Sequence, residues 1–334
     1  MNYMERKVKW GFMGLGSVAH GFIEGLKTVK DAEIVAIGDL PQFYERACSF
    51  ADKHGISQRY DSFEALAESD VDVIYISTIN SLHKSCCLTA MERGKHVLCE
   101  KPVTLFASDL DELKICAEKN NVFFMEAMWT RFLPIYDKIK EWIDEGRIGK
   151  VTRICSQFPY RDENKEGWLY NPRFGGGSIP DVGVYGVHLA LMLIGNRHFE
   201  VDSVVYKGET GVDEWARIFL KYDDGSFAET FSAMTVNSLD DAVIDGTKGR
   251  IYIPSFYKAE TAYLYTGNIY TKEELVEESV IPHPVNGYSY EAEEVTRCII
   301  NNQLQSKVMT IAESRRVVEI MEYVLKKNDI KLLS

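Results

Sequence analysis

Lys101 is the first residue with a chemical look. It stands in His96 to Thr104, HVLCEKPVT, where Val97, Leu98 and Cys99 read as a buried strand running into Glu100-Lys101-Pro102. Open α/β sheets place ligands at strand carboxyl ends, so a lysine just past one is a candidate chemical group, the alternative being a solvated strand-end charge. Pro102 fixes φ and lacks an N–H, so the strand stops and the chain turns there. A second candidate group lies in GGGSIPDVGVYGVH, Gly175 to His188, a glycine-rich approach with Ser178 placed to cap a helix that runs to about Ile194. Asp181, Tyr185 and His188 stand at i, i+4 and i+7, so one face of an otherwise apolar helix carries three groups able to hold or move protons. For His188, ordinary core packing is the competing explanation.

These groups need elements to position them. Val8 to Met13 reads as a strand, followed by Gly14-Leu15-Gly16-Ser17-Val18-Ala19 and a helix to about Val29. This is the strand, G-x-G-x-x-A turn and helix of a dinucleotide site, in which the first glycine makes the tight turn and the second admits a pyrophosphate. A second strand, Glu33 to Ile37, ends at Gly38-Asp39, where an acidic residue is the expected partner of a ribose hydroxyl. Strands and helices go on alternating: a helix from Phe43 to His54, a short segment at Gln58 to Tyr60, a helix around Ser62 to Ala67, and a strand from Asp72 to Ser77. That strand enters Thr78-Ile79-Asn80-Ser81-Leu82-His83, so Thr78, Asn80 and His83 are further candidates for cofactor contact, with helix capping by Asn80 or Ser81 as the alternative. A helix from Ala107 to Glu118 and a strand from Val122 to Met125 complete a parallel unit.

From Val151 the pattern becomes mostly β, with strands at Val151 to Tyr160, Val201 to Lys207, Trp215 to Tyr222, Ser226 to Met234, Ala242 to Asp245 and Arg250 to Ile253. Asp224-Gly225 makes a hairpin turn, and helices at Tyr290 to Asn301 and Thr310 to Lys327 close the chain. The expected fold is α/β: an N-terminal Rossmann dinucleotide-binding domain, residues 1–126, and a C-terminal α+β domain, residues 127–334, with a largely antiparallel open sheet.

Composition bounds the function. The 334 residues are 46% hydrophobic and 26% charged, a globular balance, and the net charge of -12 argues against nucleic acid or anionic membranes as partners. Seven cysteines without a CxxC pair point to a reducing compartment, and the opening MNYMERKVKW lacks the apolar core of a signal peptide, so a cytoplasmic location is expected. There is no HExxH and no Cys/His ligand spacing, so no metal is expected.

GLGSVA, GKHVLCEKP, EAMWTRF, GGGSIPDVGVYGV, DGTKGRIYIPSF and YEAEEVTRCI together closely resemble the Gfo/Idh/MocA family of NAD(P)-dependent oxidoreductases over almost the whole chain. Tyrosine at 185, where inositol-dehydrogenase-like members carry histidine, resembles the branch containing dimeric dihydrodiol dehydrogenase and glucose-fructose oxidoreductase. The resemblance implies that Lys101 and Tyr185 are catalytic, that Asp181 occupies the family's acidic position, and that a dimer forms through the open face of the C-terminal sheet. Two departures stand out: Ile79 replaces a frequent proline, and Leu40-Pro41-Gln42 follows Asp39 where NADP-using relatives often carry arginine. Asp39 would repel a 2'-phosphate, which favours NAD, whereas Arg46 folding back keeps NADP open.

The expected reaction is reversible hydride transfer between a nicotinamide and a secondary alcohol or carbonyl of a sugar, polyol or cyclic diol. Such a reaction needs a base for the hydroxyl proton, and an ammonium near a phenol favours the phenolate. Trp129, Arg131, Phe158, Arg161 and His188 are the candidate substrate contacts, with Arg161 favoured for a polar one. The rival functions are a cofactor-sensing regulator without catalysis and an NAD-assisted glycoside hydrolase; Lys101 and Tyr185 count against the first, and Tyr185 against the second.

Overall fold

A computed structural model describes residues 7–267 and 270–331; the MNYMER part of the opening stretch lies outside them. Contacts divide the chain into two compact units, 1–129 with 285–316 and 130–284 with 317–334. The 129/130 boundary lies three residues past the expected 126/127 division, and the segment 285–316 packs with the first unit.

The first unit holds six strands: β1 (Val8–Met13), β2 (Ala32–Gly38), β3 (Gln58–Tyr60), β4 (Val73–Ile76), β5 (His96–Glu100) and β6 (Phe124–Ala127). All pair in parallel, in the order β3-β2-β1-β4-β5-β6. Between them run α1 (Ala19–Leu26), α2 (Tyr44–His54), α3 (Phe63–Glu68), α4 (His83–Met91) and α5 (Ala107–Asn120). Strand order reverses between β1 and β4, the crevice where doubly wound sheets bind dinucleotides. Apolar strand residues such as Trp10, Phe12, Ile74, Tyr75 and Leu98 are completely buried, as expected of a sheet covered on both faces.

Two later helices follow the second sheet in the sequence: α8 (Tyr288–Ile300), in the first unit, and α9 (Ile311–Lys327), whose residues divide between the two units. α8 lies on α1, where Gly21 and Gly25 leave room: a Cβ on Gly25 would stand 2.7 Å from Asn286 Oδ1 and 2.8 Å from Ser289 N. Asn286 Nδ2 donates to Gly21 O (2.9 Å), and Trp129 stacks on Tyr288 at 4.4 Å.

The second unit contains α6 (Ile135–Asp144), α7 (Val184–Leu193) and a sheet of β7 (Val151–Pro159), β8 (Phe199–Lys207), β9 (Asp213–Tyr222), β10 (Phe227–Ala233), β11 (Ala242–Gly246), β12 (Gly249–Ile253), β13 (Thr261–Thr266) and β14 (Glu274–Val280). Its order is β14-β13-β12-β11-β7-β10-β9-β8, antiparallel apart from the parallel β7/β10 pair. One face buries Ile154, Ser156, Ala216, Ile218, Thr230 and Ile244, and α7 packs against β7 and β10. Alternate residues of the same strands, Trp215, Arg217, Phe231 and Tyr252 among them, form a less buried opposite face. Among the described residues no helix is long and apolar enough to cross a membrane.

Candidate active site

The cofactor side is built at the β1/β4 switch point. Gly14 has φ of +79°, and a Cβ there would stand 2.6 Å from Thr78 Cγ2. Gly16 N donates to Ser77 O (2.8 Å), and a Cβ on Gly16 would stand 2.6 Å from that same oxygen. The turn carrying Gly14, Gly16, Ser17 and Val18 is thus pressed on the segment after β4 that carries Thr78 and Asn80. α1 begins at Ala19, so its amino end opens directly from the glycine turn, the arrangement that favours a pyrophosphate.

Asp39 follows β2 directly and is buried. Its Oδ1 accepts from Leu40 N (2.9 Å) and its Oδ2 from Arg46 Nη2 (2.9 Å). The Arg46 guanidinium lies 4.8 Å over the exposed Phe43 ring and is itself more than half exposed. A buried acid at the end of β2 and a glycine cradle at the head of α1 fit a dinucleotide on structural grounds alone.

His83 and Glu100 hold the walls of this region. The His83 ring is fully buried between Pro102 O (Nδ1, 2.9 Å) and Thr78 O (Nε2, 3.2 Å), tying the loops after β4 and β5 together; burial pushes its pKa down. Glu100 Oε1 accepts from Tyr75 Oη (2.6 Å) and Oε2 from Lys101 N (3.2 Å). Burial lifts its carboxyl to about 7 against the opposing Tyr75 hydrogen bond. Glu291 of α8 is also fully buried, neither of its oxygens has a hydrogen-bond partner among the described residues, and burial and the Glu100 charge hold its pKa well above the usual range. Lys101 is half-buried immediately past β5, and the Lys101–Pro102 peptide is cis.

The second unit holds the proton-bearing helix. Its opening differs from the expected cap: Ser178 is itself in the helical conformation, where its side chain does not cap, and Asp213 Oδ2 accepts from both the Ser178 hydroxyl (2.7 Å) and Ile179 N (2.7 Å). Residues Ile179–Gly183 form a π turn ahead of α7, so Asp181 lies on the wider turn and Tyr185 on the α-helix. Asp181 Oδ2 accepts from Tyr160 Oη (2.6 Å), and burial together with the Asp181 charge raises the Tyr160 pKa. Tyr185 is buried, with Phe158 at 5.5 Å and Tyr257 at 5.9 Å between ring centroids; Phe158 and Tyr257 stack at 4.0 Å. His188 is buried one turn farther on.

The remaining candidates differ in character. Trp129 is spent on its stack with Tyr288, Arg131 is buried, and Arg161 is exposed and paired with Glu163. Tyr160, Tyr257 and Asp213 escaped the sequence reading. Tyr160 stood at a strand end in that reading, yet its distance of 21 residues from Asp181 gives no local signal.

The profile of an oxidoreductase family with an NAD-binding Rossmann fold matches residues 8–128, and that of the GFO/IDH/MocA C-terminal domain matches 136–252. The chain belongs to the Gfo/Idh/MocA family. Family members similar to it include a trans-1,2-dihydrobenzene-1,2-diol dehydrogenase of Xenopus tropicalis, 35% identical over 95% of this chain and 97% of that protein. Another is scyllo-inositol 2-dehydrogenase (NADP(+)) of Bacillus subtilis, 31% identical over 97% and 98%. An aldose-aldose oxidoreductase from Caulobacter crescentus, solved with glycerol, has the same fold, with a TM-score of 0.84 at 21% identity over 96% of this chain and 97% of that one. As a Gfo/Idh/MocA protein the chain is an oxidoreductase with a nicotinamide-dinucleotide domain.

Proposed function

We propose that this oxidoreductase interconverts a secondary alcohol and a carbonyl on a cyclic diol, polyol or sugar, with NAD as its preferred dinucleotide. The observation that carries the reading is the glycine turn at the sheet's switch point, facing a buried acid at the end of β2. Gly14, Gly16, Ser17 and Val18 receive the pyrophosphate, Asp39 the ribose hydroxyls, and Thr78 and Asn80 flank the turn, while His83 and Glu100 set the loops from behind. When bound, the nicotinamide takes up or gives back the hydride. Lys101 and Tyr185 are the catalytic residues of this reading, Tyr185 holding or moving the hydroxyl proton, and Asp181, held by Tyr160, orients the hydroxyl.

Arg46 tempers the choice of dinucleotide, since it neutralises Asp39 from an exposed position free to meet a 2'-phosphate. Titration of the purified protein with NADH and NADPH, followed by nicotinamide fluorescence, tests this. Asp39→Ala should weaken NADH roughly 10-fold or more, the worth of a hydrogen bond to a charged group. Arg46→Ala should widen the preference for NADH. Tighter NADPH binding by the wild type would overturn the NAD preference, and binding of neither would sink the dehydrogenase reading.

The less buried face of the second sheet supports a homodimer: Tyr206 stacks on Trp215 at 6.0 Å, and the Arg217 guanidinium lies 5.0 Å over Phe231, on a surface of partly exposed aromatics. Sedimentation of Phe231→Glu should show monomer where the wild type shows dimer.

A further inference from the structure

Asp213 opens β9, is completely buried, and has no part in the chemistry above. Its Oδ2 accepts from both Ser178 Oγ and Ile179 N at 2.7 Å, and Ser178 Oγ also lies 3.0 Å from Ser232 Oγ. Its Oδ1 has no hydrogen-bond partner among the described residues and abuts Gly177, where φ is +125° and a Cβ would overlap the oxygen. The backbone has been given a glycine where the carboxylate needs room. Ser178 and Ile179 are the residues at which the π turn begins, three and two positions ahead of Asp181. A π turn admits one residue more per turn than an α-helix, so the point at which it starts sets the angular register of everything behind it.

We propose that Asp213 is a positioning residue: by holding Ser178 and Ile179 it fixes where the π turn starts, and so how Asp181 and Tyr185 are aimed. The inference rests on the proton-handling roles proposed for those two residues. Asp213 lies at the amino end of the helix, where the partial positive charge favours its carboxylate, while burial works the other way and lifts the group to about 7. The hydroxyl and backbone donors and the helix end are set against that burial, which is a costly arrangement for a residue with only a packing role.

The test compares Asp213→Ala, Asp213→Asn and Ser178→Ala with wild type in kcat, KM, NADH affinity by fluorescence and the solvent deuterium effect on kcat. The assay substrate is the vicinal diol or inositol turned over fastest in a screen. Asp213→Ala should lower kcat by about 30-fold or more, the scale of an ångström-level misplacement, with NADH affinity within about twofold and a larger solvent isotope effect as proton transfer becomes limiting. Asp213→Asn keeps an acceptor oxygen for both donors and should restore most of kcat. Ser178→Ala removes one donor without emptying the site and should lower kcat about 3-fold or more, which keeps the test open if Asp213→Ala does not fold. Wild-type kcat in folded Asp213→Ala or in Ser178→Ala, or an asparagine variant as impaired as alanine, would overturn the inference. Controls Tyr185→Phe and Lys101→Met separate the layers: if they keep wild-type kcat, the proposed chemistry fails, and if they lose it while Asp213→Ala does not, only the positioning role fails.

Discussion

Adding one methyl group at Gly186, next to Tyr185, is expected to damage catalysis through geometry alone. Gly186 faces β10 and β7, where a Cβ would overlap the Thr230 hydroxyl and lie 2.5 Å from Thr230 Cβ and 2.6 Å from Ser156 Oγ. Carbon atoms rest at about 3.5–4.0 Å, so α7 must retreat by about 1 Å. Both neighbours are buried strand side chains and cannot swing away. In an open helix glycine to alanine gains up to about 1 kcal/mol, whereas overpacking costs about 1–3 kcal/mol, so Gly186→Ala should lose stability despite the better helix former. A shift of about 1 Å at a reacting group is worth about 100-fold in rate. Thermal unfolding and kcat, measured together, check this. The added changes Thr230→Ala and Ser156→Ala remove the two hydroxyls but leave the strand Cβ at 2.5 Å, so they should restore part of the loss. A Gly186→Ala protein as stable and as fast as wild type would refute the close approach of α7 to the sheet.

Glu291 carries a different expectation. Its pKa is raised in the folded state, so the native protein keeps a proton that the unfolded chain gives up above the ordinary glutamate value of 4.5, and stability falls as pH rises from there toward the raised value. Glu291→Met should therefore stabilise more at pH 8 than at pH 5, by about 1–4 kcal/mol at the upper end; melts showing equal or opposite changes at the two pH values would count against it. Tyr160→Phe removes the 2.6 Å donor to Asp181 and should lower kcat by about 10-fold with little change in NADH affinity, measured by steady-state kinetics and fluorescence. If Lys101 serves the proton step as proposed, Lys101→Met should move the rising limb of the kcat–pH profile to higher pH; an unmoved limb would assign the lysine elsewhere.

Much of the fold was legible because burial is periodic. Of β1 through β12, all but the short β3 carry apolar residues in runs or alternation, and the bounds of all twelve lie within about two residues of the expected ones. β13 and β14 were passed over. In β14, ELVEESV, glutamate and valine sit largely exposed on an edge strand, so no alternation marks an inside face. The residues proposed for the chemistry, Lys101, Asp181 and Tyr185, could be singled out in the sequence because each follows a local punctuation, a strand end or a glycine run. Asp213 and Tyr160 could not, since each hydrogen-bonds residues more than 20 positions away. The same reason explains Ser178: the sequence offers a capping serine, and only the fold brings the carboxylate that claims its hydroxyl.

The return of residues 285–316 to the first unit has a consequence for synthesis on the ribosome. When Trp129 has been made, the six parallel strands exist, but Gly21 and Gly25 still present an uncovered helix face, and Trp129 has no ring to stack on. The covering helix α8 emerges only about 160–170 residues later, roughly 10–30 s at ordinary elongation rates. The amino-terminal half of the chain therefore cannot mature first and wait. It passes through translation with an apolar flank bare, which makes this interval the natural point for a chaperone to engage, and makes a chain stopped before Tyr288 a candidate for aggregation rather than a small, working nucleotide-binding fragment.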